Sequence, residues 1–553
     1  NISIKEKNME KLIKIAFAIV AVFALFCGQI RAEGVHGFHK MMVENANIVA
    51  KVTISPVSQF KEETRVIGKL NLGEKIISSP AIGEGGVVYI GTMGGRFYAV
   101  GPDMKEKWSY ATNGPIVSSA TIGKDGTIYF GSTNFAEAGR KNFVYALYPD
   151  GKEKWKYEIK PGFFSSPASI SKSPILYAGK IIMPTNNLDS LLFIDSQSGM
   201  PDVIPRIYQG GHSSSPNPYS INSGGEIYIA GSRFALNDQN YSSVMSLELF
   251  NGKKKWYFDL EKILYNNNLM DPVIFGTPAI DKEGNIYIGA TDCRMYCFGK
   301  SGEVKWIKNL RKEGERGDYG IACSAAIDAE QVYFVTQTGR AIALKKADGS
   351  IAWDNNLGLY LISSPALTKS GEVCFGAQSG YFISLNKISG ELKWTEKIGN
   401  GISSSPVVSF SGIAYVGSID SCLYAFDLGG AKSGLDEEAD WPMYGRNREH
   451  ISQADPKILT VQRERVEAFE LQNAFPNPFN SGVMINFILS RAQEARLSVY
   501  NSAGQLVATL VDARLEAGSH GFYWKTTLLS SGIYFYSLRA GESAITKKMI
   551  FLK

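Results

Sequence analysis

Cysteine and histidine are scarce in this chain, and their scarcity removes several kinds of chemistry. Of 553 residues, six are cysteine and five are histidine. No Cys-x-x-Cys-His run is present for haem attachment, and the five cysteines beyond residue 32 leave no complete disulfide framework. The histidines are too scattered to predict a metal site. They are His36, His39, His212, His450 and His520.

Charge of one sign and helical periodicity are also lacking. The net charge of +5 is small for this length, and without a basic block a nucleic-acid partner is not expected. Between Ile76 and Asp427, apolar runs of four to six residues are bounded by Gly, Asp and Pro, which is typical of strands. The chain is therefore predicted to be all-β.

A Ser-Ser-Pro-like signal returns eight times in this region, at intervals of 40 to 62 residues. A period of this size, built from short strands, is the signature of a β-propeller. We predict eight four-stranded antiparallel blades with strands A to D, strand A innermost. Seven blades are the alternative if the third is incomplete. The signals lie near Pro80, Ala120, Pro167, Pro216, Pro278, Ala325, Pro365 and Pro406.

The paired serines of these signals could be taken for nucleophiles. Because they recur in most blades, they indicate strand architecture, with hydroxyls that satisfy backbone groups near the channel. No acid/base or nucleophilic constellation stands out elsewhere, so no catalytic residue is predicted.

A second regular feature is the spacing Gly-x-x-x-Trp before strand D. The glycine supplies a positive φ for a tight turn, and the indole can cover the seam between two blades. Met104 replaces the glycine in blade one, and blade three lacks the Trp after Gly199. We predict a structural docking role for Trp108, Trp155, Trp256, Trp306, Trp353 and Trp394.

At these residues the chain resembles the pyrroloquinoline-quinone (PQQ)-repeat propellers. Their Ala-x-Asp-x-x-Thr-Gly-x-x-x-Trp motif survives from Ala146 to Trp155 and, more loosely, from Asn386 to Trp394. The resemblance covers residues 65–430. It implies one of three activities: a quinoprotein dehydrogenase, a lipoprotein that assists outer-membrane protein assembly, or a cofactor-free binding propeller.

The cysteines argue against the dehydrogenase. Quinoprotein enzymes of this family carry an adjacent Cys-Cys pair against the cofactor, and this sequence has none. Neither PQQ nor calcium is therefore expected, and the chain is predicted not to be an enzyme. A PQQ-dependent dehydrogenase is the alternative.

Blade eight has strands A to C but no Gly-x-x-x-Trp strand after Asp427. The run from Arg65 to Leu72 lies just before the first repeat signal. We predict that it supplies the outer strand of blade eight, which closes the ring and covers two sheet edges.

The N-terminal residues predict a signal peptide. Lys11 and Lys14 precede an apolar run from Ile15 to Phe26, which is short for a membrane span. Residues 1–32 are interpreted as a reading-frame overhang before Met9 followed by the signal peptide, and residues 33–64 as an extension. Phe26 before Cys27 makes a poor lipobox. No membrane span is expected once the signal is removed.

Residues 467–553 predict a small β-sandwich. They resemble the type A sorting domain of the type IX secretion system in Pro476–Asn480, Leu497–Asn501, Ala517–His520 and Ser531–Tyr536. The resemblance implies binding to the type IX machinery and export through the periplasm to the outer cell surface or the medium.

A polar linker is predicted at residues 431–466, after the propeller of residues 65–430. Trp441–Arg446 interrupts it with an aromatic element. We expect this element to pack back on the propeller, with a ligand-binding role as the alternative.

The candidate binding site is predicted from where the repeats are longest. B–C and D–A connections share one face, the loop face, whereas A–B and C–D turns share the other, the turn face. Nearly all extra length is on the loop face, which usually marks a binding face. Its insertions are residues 133–142, 200–211, 233–242, 259–273 and 308–320.

Aromatic, Arg and Asn side chains on these insertions suit a glycan or protein ligand. The alternative is that they are solvated loops. The function expected is a secreted or cell-surface binding or scaffold propeller, with the dehydrogenase and the outer-membrane assembly factor as alternatives. The predicted ligand-binding residues are Arg140, Phe234, Tyr241, Tyr265, Arg316 and Tyr319.

Overall fold

The computed structural model describes most of the propeller and the C-terminal region, and its regular secondary structure in these residues consists of β-strands and short 3-10 helices. Among these residues no helix has the length and apolar character needed to cross a bilayer. Residues 1–63, with the predicted signal peptide and extension, lie outside the described part. The described residues are 64–133, 141–159, 173–184, 191–202, 219–236, 239–250, 252–265, 268–270, 272–311, 320–447, 450, 469–471, 474, 477–480, 482–489, 492–516, 518–525, 529–541 and 543–552.

Eight four-stranded antiparallel sheets follow one another along the chain, each in the order A, B, C, D, and form the predicted propeller. The first strand, β1 (Val66–Asn71), belongs to the last of these sheets. Blades one and two contain β2 (Ala81–Ile82), β3 (Val88–Gly91), β4 (Arg96–Val100), β5 (Glu106–Ala111), β6 (Thr121–Ile122), β7 (Ile128–Ser132), β8 (Asn142–Leu147) and β9 (Glu153–Ile159).

The middle blades differ most in length. Blades three and four contain β10 (Ile175–Tyr177), β11 (Lys180–Pro184), β12 (Leu191–Asp195), β13 (Pro201–Asp202), β14 (Tyr219–Ile221), β15 (Glu226–Leu236), β16 (Gln239–Glu248) and β17 (Lys254–Asp259). A separate hairpin follows, formed by β18 (Ile263–Tyr265) and β19 (Asn268–Met270).

The last four blades are regular. Blades five and six contain β20 (Ala279–Ile280), β21 (Ile286–Gly289), β22 (Arg294–Phe298), β23 (Val304–Asn309), β24 (Ala326–Ile327), β25 (Gln331–Val335), β26 (Arg340–Lys345) and β27 (Ile351–Asn356). Blades seven and eight contain β28 (Ala366–Leu367), β29 (Glu372–Gly376), β30 (Tyr381–Asn386), β31 (Leu392–Lys397), β32 (Val407–Val408), β33 (Ile413–Gly417) and β34 (Cys422–Asp427).

Strand B ends in glycine in several blades because the next blade approaches its backbone there. A Cβ added to Gly91 in blade one would lie 2.2 Å from Cγ2 of Ile116 in blade two. Gly289 and Ile321 make the same contact between blades five and six. Both isoleucines are fully buried. Strand B ends in the triplet Tyr-x-Gly in both blades, at residues 89–91 and 287–289. This triplet thus reflects packing between blades as well as strand structure.

The N-terminal strand closes the ring as predicted. β1 pairs antiparallel with β34, with Leu70 opposite Leu423 and Val66 opposite Phe426. The amides of Arg65 and Val66 also donate to Oε2 of Glu396 in blade seven, at 2.6 and 2.8 Å. Blade eight is therefore completed by residues that precede blade one in the chain.

The repeated Gly-x-x-x-Trp spacing joins neighbouring blades. The indole N–H of Trp306 in blade five donates to the carbonyl of Lys346 in the C–D turn of blade six, at 2.8 Å. A Cβ added to Gly349 in that turn would lie 2.7 Å from Cδ2 of Trp306. Trp108, Trp256 and Trp353 donate in the same way to the carbonyls of Pro149, Lys300 and Lys387. The motif's Gly in one blade therefore contacts the Trp of the preceding blade.

At the seam between blades eight and one, the small and the large residue of this contact exchange places. Gly68 stands opposite Ala425, the register position that Trp108 holds opposite Ala99 in blade one. Met104 holds the glycine position of the motif with a φ of 59°. A Cβ on Gly68 would lie 2.3 Å from Cγ of Met104. The large side chain fills the seam from the opposite side, which explains why Met104 replaces glycine in blade one.

We expect Gly349→Ala to lower the free energy of unfolding by about 2 to 4 kcal/mol. An alanine there meets both a φ of 68° and the Trp306 ring, which has no room for a methyl group. Gly371 is a matched control, because its φ is 75° and nothing lies within 4 Å of an added Cβ. Gly371→Ala should lose only about 1 kcal/mol, from the backbone strain. Urea unfolding of the full chain measures both, and equal losses would contradict a role for the Trp–Gly contact.

The C-terminal unit is the predicted small β-sandwich. One sheet has the order β35, β36, β39, and the other has the order β38, β37, β40, β41. Residues such as Leu497, Trp524 and Tyr536 form its core. Its strands are β35 (Phe469–Leu471), β36 (Gly482–Leu489), β37 (Gln493–Asn501), β38 (Leu506–Leu515), β39 (Gly518–Lys525), β40 (Gly532–Ala540) and β41 (Ser543–Phe551).

Two of the eight repeat signals fall in segments outside the described residues. Pro167 and Pro216 lie outside the described residues, and strands A of blades three and four are β10 and β14. Ser173 receives the hydrogen bond from the Ser119 amide, at 2.9 Å. Blade three contains two Ser-Pro pairs, at residues 166–167 and 173–174. The hydrogen bond from Ser119 of blade two identifies the second pair as the one that corresponds to the repeat signal of the other blades.

Candidate functional site

Hydrogen bonds join strands A of neighbouring blades from blade five, through blades six, seven, eight, one and two, to blade three. The amide of Ser79 in blade one donates to Oγ of Ser119 in blade two, and the amide of Ser405 in blade eight donates to Oγ of Ser79, both at 2.9 Å. Four further bonds of this kind link Ser119 to Ser173, Thr277 to Ser324, Ser324 to Ser364 and Ser364 to Ser405. We call these residues the hydroxyl ring. Their partners support the architectural interpretation of the paired serines.

A segment after blade eight enters the channel from the turn face. We call residues 434–447 together with His450 the channel plug. Trp441 exchanges two backbone hydrogen bonds with Ile327 in blade six, at 2.8 and 2.9 Å, and Leu435 forms a bridge with Thr368 in blade seven. Trp441 and Met443 are fully buried. Much of the segment predicted as a linker is thus packed on the propeller.

Tyr444 of the plug reaches the hydroxyl ring. Its phenol oxygen lies 3.1 Å from Oγ of Ser173, and it also interacts with the hydroxyls of Ser119 and Thr277. Burial raises the pKa of Tyr444, with these hydrogen bonds acting in the opposite direction. The protonated phenol therefore lies among hydroxyl groups from blades two, three and five.

Lys346 holds the plug through Asp440. Its Nζ lies 2.6 Å from Asp440, 3.4 Å from Asp281 and 3.2 Å from Glu283. The carboxylate oxygens of these three residues lie within 4.8 Å of one another, which is a spacing that a cation could bridge. The Lys346 ammonium already lies among them. Burial acts to lower the pKa of Lys346, and the carboxylates outweigh it and raise that pKa. The cluster is an internal ion-pair network and does not fit a calcium site.

The same contact recurs one blade further on. Nζ of Lys387 lies 3.2 Å from Asp328 and 3.0 Å from Asp436 of the plug. In both contacts a buried tyrosine hydroxyl donates to the aspartate of the propeller: Tyr287 to Asp281 at 2.9 Å, and Tyr333 to Asp328 at 2.8 Å. Asp436 and Asp440 thus contact two neighbouring blades through equivalent lysines.

His450 anchors the end of the plug. Oγ1 of Thr121 donates to the His450 carbonyl, at 3.0 Å, and its ring contacts Tyr444 edge-on, at 5.5 Å between centroids. The side chain is fully buried, and this desolvation lowers the pKa of His450 to about 3. The imidazole is therefore neutral in the folded protein.

We expect His450 to make the propeller less stable in mild acid. Its stabilising effect is complete above the unfolded pKa of about 6.5 and is lost as the pH falls towards about 3, because only the unfolded side chain takes up a proton. This adds about 1.4 kcal/mol of lost stability per pH unit within that window. His450→Asn should remove this component. Carboxylates titrate in both the parent and the variant, so the difference between their free energies of unfolding isolates the contribution of His450. Urea unfolding from pH 7.5 to 4.5 measures both free energies. If the two depend on pH in the same way, His450 is not a buried neutral histidine.

The five described cysteines are buried and form no disulfide with one another: Cys293, Cys297, Cys323, Cys374 and Cys422. Burial raises the pKa of Cys297 and of Cys323 to about 12. Both side chains are therefore thiols at neutral pH. None of the five is adjacent in sequence to another, so they do not form the vicinal pair that a quinone cofactor of this family would contact.

The residues predicted to bind a ligand are only partly described. Arg140, Arg316 and Tyr319 lie outside the described residues. The insertion at 233–242 is an extension of the β15–β16 hairpin, with Phe234 directly opposite Tyr241. The insertion at 259–273 contains the β18–β19 hairpin, with Tyr265 opposite Asn268. These two insertions therefore contain regular hairpins.

Sequence reasoning singled out Trp441 but missed the ion pairs around it. The sequence does contain a feature that marks the two lysines as equivalent, since Lys346 and Lys387 each stand three residues before the motif glycine of their blade. Their aspartate partners are separated from them by up to 94 residues. Nothing local predicts that a segment after the last blade will meet them.

Comparison with known proteins assigns both units. The family described as outer membrane protein assembly factor BamB matches residues 55–201, 124–355 and 300–433. The family described as secretion system C-terminal sorting domain matches residues 473–552. No curated protein matches the chain.

Solved propeller structures resemble the chain at low identity. BamB from Moraxella catarrhalis is 14% identical with a TM-score of 0.50, covering 66% of this chain and 99% of its own. Saccharomyces cerevisiae Sqt1 is 9% identical with a TM-score of 0.52 over the same shares. The quinohemoprotein alcohol dehydrogenase of Comamonas testosteroni is 13% identical with a TM-score of 0.50, covering 67% of this chain and 78% of its own. At these identities the similarity establishes the fold alone.

Proposed function

This chain belongs to the PQQ-repeat β-propeller family that includes BamB, and on that premise we propose that it is a non-catalytic binding or scaffold propeller for a glycan or protein ligand. The sorting domain implies contact with the type IX machinery and a secreted or cell-surface location. Passage through the periplasm is part of the proposal.

The channel plug is the observation that supports a binding site on the loop face. It covers the turn-face end of the channel with buried Trp441 and Met443 and with two sets of ion pairs. A ligand at that end would have to displace these contacts. The loop face carries the extended hairpins, and long insertions on one face of a repeat protein usually bind the partner.

The hairpin of blade four contributes Phe234 and Tyr241 to this proposal, and the next hairpin contributes Tyr265. Aromatic and Arg residues carry much of the energy of protein interfaces. We propose Arg140, Arg316 and Tyr319 as further ligand-binding residues of the same face.

A dehydrogenase is the less favoured proposal. The acidic cluster is filled by Lys346, Tyr444 lies at the hydroxyl ring, and the cysteines form no vicinal pair. These residues do not fit a quinone with its calcium ion.

An assembly-factor role rests on a different observation, the match of residues 55–201, 124–355 and 300–433 to the family described as outer membrane protein assembly factor BamB. This role predicts a protein held on the inner side of the outer membrane. Protease treatment of intact cells separates the proposals: an assembly factor stays protected, whereas a surface or secreted propeller is cleaved or found in the medium.

The binding proposal is tested with the purified full chain on a glycan array and in pull-downs of extracellular proteins. Once a ligand is found, Phe234→Ala or Tyr241→Ala should weaken it about 30-fold, which is about 2 kcal/mol, without lowering the melting temperature. Lys124→Ala in a turn-face connection is the control. Lys282 is unsuitable as a control, because it pairs with Asp440 and donates to the Glu438 carbonyl.

Two outcomes would overturn the proposal. One is binding that Lys124→Ala abolishes and the hairpin variants leave intact, which would place the site on the other face. The other is stoichiometric PQQ absorbance and dye-linked alcohol oxidation after incubation with PQQ and calcium.

A further inference from the structure

The outer face of the four-stranded sheet in the sandwich carries a continuous apolar surface. We call it the sorting patch: Tyr500, Leu506, Ile533, Phe535, Ile550 and Leu552. Four of its side chains are well exposed, Leu506 at 54%, Ile533 at 48%, Phe535 at 37% and Leu552 at 51%. Tyr500 and Ile550 are half-buried.

Strand register brings these residues together. Tyr500 on β37 stands opposite Leu506 on β38 and opposite Phe535 on β40. Ile533 on β40 stands opposite Ile550 on β41. The alternate residues Tyr534, Tyr536 and Met549 point into the core. The patch therefore crosses all four strands on the side away from the core.

This concentration is unlike a scatter of single exposed side chains. Five large apolar side chains are exposed among the described residues of the sandwich, and four of them belong to the patch. Tyr523 is the fifth and lies on the other sheet, on β39. A contiguous exposed apolar surface of this kind marks an interaction site.

The charged neighbours of the patch are mainly cationic. Lys548 continues the row opposite Phe535, and Arg539 lies further along the same face of β40. Arg496 opposite it is already near Asp512, at 3.7 Å. A complementary partner would have an apolar centre and an acidic rim beside Lys548.

We propose that the sorting patch is the surface through which this domain docks on an outer-membrane component of the type IX machinery. The match of residues 473–552 to a secretion sorting domain supplies the partner, and the patch with its cationic end supplies the chemistry. The proposal goes beyond the ligand of the propeller and does not depend on it.

The test uses the full chain, produced in a host with type IX secretion. Phe535→Thr keeps a β-forming residue but removes the exposed ring, and export to the surface or medium should fall tenfold or more. Tyr523→Thr makes the same kind of change on the other sheet and should leave export unchanged. Lys548→Glu should impair export, whereas Lys548→Arg should not.

Two further measurements separate docking from folding. Phe535→Trp should restore export, because it restores apolar surface, and Phe535→Thr should melt like the parent chain when purified. A photo-crosslinking residue at position 535 should form an adduct with an outer-membrane component of the machinery, and one at position 523 should not.

Normal export of the Phe535→Thr chain would overturn the proposal. So would an adduct at position 535 with a second copy of this chain, which would make the patch a dimer interface. Neither result would bear on whether the propeller binds a glycan or protein.

Discussion

A chain that begins at Lys75 should lose most of the stability of the propeller. The truncation removes β1, which pairs with β34 over its length. It also removes Leu72, which is buried in the core shared by blades seven, eight and one. Removing one buried leucine side chain costs about 2 to 5 kcal/mol, and β34 is left as an open edge. We expect a loss of about 5 kcal/mol or more, close to the whole stability of many domains.

Calorimetry and near-UV circular dichroism of the purified chain would measure this loss. A chain that begins at Thr64 keeps β1 and is the length control. Ile67→Lys changes an exposed side chain of β1 and should stay within about 0.5 kcal/mol of the parent. If the chain from Lys75 melts at the parent temperature, β1 does not close the ring in solution.

Trp441→Ala should release the channel plug. Trp441 is fully buried between blades five to seven and the plug, and replacing a buried tryptophan by alanine costs about 3 to 5 kcal/mol. The two backbone hydrogen bonds to Ile327 would remain available, so the loss measures the packing of the indole. Urea unfolding would give its size, and limited proteolysis should show new cleavage between residues 434 and 450.

Trp441→Phe is a matched variant for this experiment. Within the described residues the indole N–H of Trp441 has no hydrogen-bond partner, so phenylalanine keeps the apolar contact and breaks no hydrogen bond. It should cost less than about 1.5 kcal/mol. An equal loss in both variants, or no loss in either, would contradict the plug as a packed part of the propeller.

Blade architecture was predictable because its determinants are local. Alternating apolar residues, the Tyr-x-Gly triplet and the Gly-x-x-x-Trp spacing each report how a few neighbouring residues fold and which of them become buried. The closing strand was also predictable, since blade eight lacked a fourth strand and one unassigned strand remained. The small sandwich was predictable from its sequence pattern and from its resemblance to the sorting domain.

Prediction was weaker where two similar sequence motifs lie close together, or where a residue is explained by a contact with a part of the chain distant in sequence. Blade three offers two Ser-Pro pairs, and only the hydrogen bond from Ser119 selects Ser173. The sequence pattern shows that Met104 replaces the motif glycine but gives no reason for it. The reason is the contact with Gly68 on the opposite side of the seam between blades eight and one. That the predicted binding residues share one face stays a prediction, because it depends on the order of the strands and because Arg140, Arg316 and Tyr319 lie outside the described residues.

By itself, the sequence determined the class of fold, the closing strand and the sorting domain. Each of these depends on residue patterns within about one repeat. The tertiary structure alone decided that the segment after blade eight fills the channel, that Lys346 and Lys387 pair with Asp440 and Asp436, and that Gly68 faces Met104. These contacts join residues far apart in the chain, such as Ser405 and Ser79, 326 positions apart. Periodicity reports burial and backbone conformation, whereas the partner of a buried side chain depends on which surfaces meet when the ring closes.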